Sequence, residues 1–312
     1  MHLRTHLGMH PGLHLGMRRS VLLAAFGTIT AVSLTMGGVA SGDVLPVPAP
    51  VPRARTAVDK GIVEVLHVSA AADAGPRSRD VYVYRPGVTA SSALPVLYML
   101  HGYPGHPAAL MRWMAPMLDT AFERGAAPFI VAIPDGNSTA HSDTEWADSV
   151  DGRTLVESSL IRKILPAVEG PVPLPAGMRA IGGFSIGGYG AANLGLRHPD
   201  LFGQVVSVSG YFHVDDTSGM FAKRRAAIAA NTPDAMVRAA SGRRFLLIEA
   251  KNESEPLVAG QAAEFASRLR ACHCADDVEL RMERGDHNVD FVGAQTPAIV
   301  AFLDAGWRRP VQ

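Results

Sequence analysis

The chain has 312 residues, 47% of them hydrophobic and 19% charged, enough to bury one large core or two small ones. Its formal net charge is +0 and it carries no long basic or acidic block, which excludes the global field of a nucleic-acid or anionic-lipid binder. Aromatic residues are only 6% of the chain, too few to suggest a base-stacking surface.

The first sixteen residues, MHLRTHLGMHPGLHLG, repeat His, Leu, Gly and Met. Such a tract could bind metal, but the signal layout begins cleanly at Met17, so translation is expected to start there. Residues 17–42 run from Arg18 and Arg19 through an apolar stretch to small residues, with candidate cleavage positions at 39–42. That is the layout of an export signal, and the paired arginines resemble a twin-arginine signal of bacterial origin. A secreted or cell-envelope protein is expected, with an uncleaved membrane anchor as the alternative. Residues 43–57 are Pro-rich and read as an extended linker. The folded domain is expected over 58–309.

Within that domain RDVYVYRP (79–86) alternates in polarity and predicts a half-buried strand. LPVLYMLHG (94–102), PFIVAIPDG (128–136), MRAIGGFS (178–185), FGQVVSVSGYF (202–212), RRFLLIEA (243–250) and DVELRMERG (277–285) are apolar runs, most closed by turn residues. They fit strands buried on both faces of a parallel sheet. RTLVESSLIRKILPAVE (153–169) and EPLVAGQAAEFASRLRAC (255–272) carry apolar residues at helical spacing. Strands alternating with helices predict an α/β class with a mostly parallel sheet. The stretch 213–244 lies between two core strands, with a helix start at Thr232, and is expected to form a helical crossover over the site that contributes acyl-chain specificity.

Gly183-Phe184-Ser185-Ile186-Gly187 fits G-x-S-x-G. Roughly one chain in five of this length and glycine content would match by chance. Context supplies the meaning: an apolar strand precedes Ser185 and a helical run follows it. In such a turn glycines let two backbone segments pass close by, so that the serine hydroxyl projects at the carboxyl end of the sheet. A serine needs a base, and the base needs an acid, in the order Ser, Asp/Glu, His. His287, in a polar loop after the last strand, is the candidate base; His198 at a helix end, His213 too early in the order, and His273 compete poorly. The acid is expected after RFLLIEA. Glu249 is still inside the strand, and Glu253 and Glu255 in the following loop cannot be separated by spacing. The oxyanion donors would be the N–H of Ile186 and that of Gly102 or Tyr103; His101 reads as a shaper of the latter loop. Cys272 and Cys274 flank His273, so two thiols or an unusual bridge are expected. No second ligand cluster accompanies them, and no metal is expected.

LPVLYMLHGYPG, GGFSIGGYGAANLGLRHPDLFGQVVSVSGYF and ERGDHNVDF resemble the putative-esterase (esterase D-like) family of α/β hydrolases. That family includes feruloyl esterases, S-formylglutathione hydrolases and secreted mycolyltransferases, and the likeness runs over about 61–307. The resemblance implies an α/β-hydrolase fold with Ser185 as nucleophile, His287 as base and the backbone of Tyr103 and Ile186 as oxyanion hole, with no cofactor. Trp146 matches a segment near the family's active-site mouth, so it either lines the pocket or packs. One departure stands out: Ser254 falls where the family's acid is expected, between Glu253 and Glu255. The expected function is an exported serine esterase acting on a small-molecule or cell-envelope ester, with no nucleic-acid partner and membrane contact only through the N-terminal segment. The alternatives are an acyltransferase to a sugar hydroxyl, and a non-catalytic cell-wall or carbohydrate-binding protein on the same fold.

Overall fold

Most of the apolar runs form strands because both of their faces are covered. A computed structural model of the chain describes residues 59–69, 78–88 and 93–308. The expected export signal and most of the linker lie outside the described residues. Eight strands, β1 (Asp59–Ser69), β2 (Ser78–Gly87), β3 (Val96–Leu100), β4 (Ile130–Pro134), β5 (Arg179–Phe184), β6 (Gln204–Val208), β7 (Arg244–Ala250) and β8 (Asp277–Glu283), form one sheet in the order β1-β2-β4-β3-β5-β6-β7-β8. β1, β2 and β4 pair antiparallel, and the pairs from β4 to β8 are parallel. This is the predicted mostly parallel α/β sheet.

Side chains alternate between two cores. Tyr98 and Leu100 of β3 and Phe245 and Leu247 of β7 face one; Leu97, Met99, Leu246 and Ile248 face the other. The second core is closed by α1 (Pro107–Glu123) and α7 (Val289–Trp307). The first is closed by α4 (Ile186–Arg197), α6 (Gln261–Cys272) and a helical segment that runs from α2 (Val156–Ser159) through a π turn (Leu160–Ile164) into α3 (Leu165–Glu169). Burial on both faces explains why β3 to β7 read as unbroken apolar runs. β8 is the other sheet edge and only partly buried, so the two-sided burial expected for 277–285 does not hold and DVELRME alternates instead.

Three local expectations are revised. β1 was not anticipated as a strand. It is the sheet edge, with Ile62, Val63 and Val65 exposed and Lys60, Glu64 and His67 interspersed, so its pattern carries no clear buried face. The helix expected from 255 begins at Gln261, because Gly260 adopts a left-handed conformation (φ 82°) and the Glu249 carboxylate accepts the N–H groups of Gly260 and Ala262 at 2.7 and 3.1 Å. A carboxylate there satisfies first-turn donors that no intrahelical carbonyl can reach.

The crossover contains α5 (Arg225–Ala230) and two 3-10 turns (Pro233–Ala235, Val237–Ala240). The two turns pack against α4, and the second also against α6, while His213, Asp215 and Thr217 at the start of the stretch line the cavity over Ser185. Thr232 precedes a 3-10 turn, but its hydroxyl donates to Ile228 O and caps nothing. Cys272 and Cys274 are joined as a bridge around His273, which has φ 52°.

Candidate active site

Ser185 sits between β5 and α4 at φ 58°, ψ −123°, a conformation disfavoured for a residue with a Cβ. Its N–H donates to Val208 O at 3.0 Å and its carbonyl accepts from Tyr189 N at 3.0 Å, which pins the turn from both sides. The glycines around it are required by contact. A Cβ on Gly183 would lie 2.1 Å from Gly187 O, and one on Gly187 would lie 2.2 Å from Leu100 O. Neither backbone can retreat, so the strand–turn–helix crossing closes only with glycine at both positions.

The geometry brings three of the candidate residues together. His287 Nε2 lies 2.9 Å from Ser185 Oγ, and His287 Nδ1 lies 2.8 Å from Glu253 Oε1. A carboxylate only accepts, so Nδ1 carries the proton and Nε2 is left to accept from the serine hydroxyl. The His287 ring rests on Phe184 at 4.8 Å between centroids. Its loop is fixed by Asn288, whose side chain caps α7 by accepting from Phe291 N. Lys251 N–H to Glu283 O and Asn252 N–H to Gly285 O tie the Glu253 loop to the His287 loop.

Burial separates the two glutamates that spacing left equivalent. The Glu253 side chain is 3% exposed against the imidazole, whereas Glu255 is exposed and lines the cavity rim. Glu255 is thus not beside His287 Nδ1; its backbone N–H instead donates to Glu253 Oε1 at 3.0 Å. Ser254 turns to Asp286 with a side-chain hydrogen bond. Glu249 caps α6 as described above.

Ile186 is the first residue of α4, where an N–H has no acceptor within the helix. Gly102 runs beside Ser185, where a Cβ would be 3.3 Å from Ser185 Cβ. Tyr103 follows it and lines the cavity. His101 is buried and locked in the loop: Gly136 N–H donates to its Nε2 at 3.0 Å, and its Nδ1–H donates to Gly102 O at 2.8 Å. Trp146 is buried behind this loop rather than at the mouth, with Nε1–H donating to His101 O and its ring packed edge-on to His101. His198 ends α4 paired with Glu157, and His213 lines the cavity on its exposed side.

The Putative esterase family matches residues 73–298. This chain belongs to that family. An acetyl esterase from Caldicellulosiruptor saccharolyticus is 28% identical over 132 residues, 42% of this chain and 46% of the relative, so the match takes in less than half of that protein. Among solved structures, an S-formylglutathione hydrolase from Agrobacterium tumefaciens superposes with a TM-score of 0.65 at 17% identity, covering 80% of this chain and 96% of its own. A ferulic acid esterase superposes at 0.63 and 20% identity, covering 79% and 98%. The fold is that of the α/β hydrolases.

In this esterase-family chain the cavity above Ser185 has a volume of about 200 Å³. Its wall includes Asp143 and Glu145 from the Trp146 segment, Asp215 and Thr217 from the 213–244 stretch expected over the site, and Tyr211, which sequence reading passed over. Tyr211 follows the carboxyl end of β6, the end where ligand sites of such sheets lie, and that position was the available signal. Asp143 and Glu145 sit in the long loop after β4, in the Trp146 segment whose resemblance points to the active-site mouth; they reach the cavity while Trp146 does not. The Tyr211 hydroxyl donates to Glu145 Oε2, and its ring stacks on Tyr189 at 4.8 Å.

Burial, and after it the charge of Asp143, push the Glu145 carboxyl up to about 8, against the lowering effect of hydrogen bonds with Tyr211 and Ser218. An unfolded glutamate ionises near 4.5, so between about 4.5 and 8 the unfolded chain has released a proton that the folded chain keeps. This group therefore makes folding less favourable as pH rises through that window, and the effect levels off above it. Glu145→Gln should gain stability relative to the parent chain from about pH 4.5 to about 8, read from thermal unfolding at a series of pH values. A gap that stays constant with pH would contradict this.

Proposed function

We propose that the chain is a serine carboxylic ester hydrolase working through an acyl-enzyme on Ser185. The observation that carries this reading is the chain of contacts from Ser185 Oγ to His287 Nε2 at 2.9 Å and from His287 Nδ1 to Glu253 at 2.8 Å, built on a left-handed strand-to-helix turn. Ser185 Oγ attacks the ester carbonyl while His287 Nε2 takes its proton, and the Glu253 carboxylate stabilises the imidazolium. The carbonyl oxygen, now negative, is met by the Ile186 N–H and by the Gly102–Tyr103 backbone. The imidazolium returns its proton to the leaving alkoxide. Water then attacks the acyl-enzyme, loses its proton to His287, and Ser185 is regenerated. The reading also places the enzyme outside the cytoplasm, on the export-signal layout of residues 17–42.

A cavity of about 200 Å³ suits short acyl groups. Hydrolysis of p-nitrophenyl acetate and butyrate should exceed that of the decanoate. A fluorophosphonate probe should label a single peptide, the one containing Ser185, located by mass spectrometry. A folded chain that neither turns over these esters nor takes the probe at Ser185 would sink the reading.

A further inference from the structure

The cavity over Ser185 is acidic in a chain whose formal net charge is +0. Asp143, Glu145, Asp215 and Glu255 all line it, whereas no lysine or arginine does. These carboxylates arrive from three separate loops, after β4, β6 and β7, so their meeting is a product of the fold rather than of one acidic stretch. Among the described residues none of the four is in a salt bridge with a basic side chain. The same cavity holds Ser185 and His287, so whatever reacts at the serine must enter this field.

Glu145 keeps its proton up to about pH 8, so the field is set by the other carboxylates, with Asp215 and Glu255 exposed to solvent. Beside a reaction centre they disfavour an anionic substrate and leave a neutral one without compensation for the field. A cation relieves the repulsion between them and is drawn in from solution. Two of the four, Asp215 and Glu255, are exposed at the rim, where a leaving alcohol passes to solvent. Tyr103, 44% exposed, adds an aromatic face suited to an ammonium group.

We propose that this site selects short-chain esters whose alcohol carries a positive charge, a primary or quaternary ammonium group. The proposal rests on the ester-hydrolase reading and names its substrate class.

The test is a matched pair: acetylcholine, and its carbon isostere in which the ammonium nitrogen is replaced by carbon. The two have nearly the same shape and the same acetyl group, so their ratio reads charge alone. At low salt kcat/KM should favour acetylcholine by about tenfold or more, and the advantage should shrink as added salt shortens the screening length. Asp215→Asn combined with Glu255→Gln, both exposed positions whose change leaves the core untouched, should cut the ratio at least about threefold by removing two of the field's charges.

A ratio of one or less, or a ratio indifferent to salt and to both substitutions, would overturn the proposal while leaving the hydrolase intact. So would a sugar acetate hydrolysed faster than either ester, which would make the carboxylates acceptors for hydroxyl groups. Turnover of p-nitrophenyl acetate without turnover of the pair also overturns it. Loss of all three activities in folded protein would instead sink the underlying hydrolase reading.

Discussion

Ser185→Ala should lower kcat for p-nitrophenyl acetate by about 10⁵-fold or more while the protein stays folded. The hydroxyl is the only atom removed, and the turn is held by backbone contacts to Val208 and Tyr189 that alanine keeps. His287→Ala should fall to a similar floor, and the double substitution should fall little further, because the two act as one unit. Glu253→Gln should cost about 10⁴-fold, since an amide can present either its NH₂ or its oxygen to Nδ1 and no longer fixes the tautomer that frees Nε2. Glu255→Gln should act on KM for charged esters and not on the chemical step. Steady-state rates corrected by active-site titration, with circular dichroism to show folding, check the set. If Glu255→Gln proved as slow as Ser185→Ala and Glu253→Gln near the parent rate, the acid would have to be reassigned. The φ of 58° at Ser185 has a further consequence. Ser185→Gly should be more stable than Ser185→Ala by about 1 kcal/mol, because glycine occupies that conformation without a Cβ penalty.

Glu169→Ala should lower stability by about 3–5 kcal/mol, a drop in Tm of roughly 10 °C. Arg179 at the start of β5 and Glu169 at the end of α3 form a two-pronged pair at 2.6 and 2.7 Å, with side chains only 6% and 1% exposed. The Tyr98 hydroxyl and the Leu174 N–H also donate to the same carboxylate. Burial pushes the Glu169 carboxyl up, but these hydrogen bonds and the Arg179 charge hold it below the usual range. Removing the glutamate leaves a guanidinium buried without a counter-charge, which is the costly half of breaking such a pair. The pair lies at the amino end of β5, and Ser185 follows its carboxyl end, so kcat at a temperature where the variant is folded should be close to that of the parent. Differential scanning calorimetry with a matched assay separates the two effects. A Tm change of a degree or less would show that the pair contributes nothing net.

The sheet was legible in the sequence because its inner parallel strands are buried on both faces, and that burial writes unbroken apolar runs such as LPVLYML and RFLLIEA. The same logic hid β1, whose edge position leaves no face consistently covered. Ser185 could be singled out because a strand-to-helix turn of this kind tolerates only glycine where backbones touch, as at Gly183 and Gly187. His287 could be singled out because chain order and the end of the last strand restrict where a base can be.

Spacing could not separate Glu253 from Glu255, because an irregular loop has no period; the hydrogen bonds that tie 251 and 252 to the His287 loop turn one glutamate inward and leave the other at the rim. The acidic lining of the cavity was equally invisible. Asp143, Glu145, Asp215 and Glu255 are scattered over more than a hundred positions in a chain of balanced charge. A local pattern records which face of an element is covered, and so it determined the strands and the serine turn. Which loops meet over the carboxyl ends of the strands depends on the order β3-β5-β6-β7-β8, and only the tertiary structure decided that.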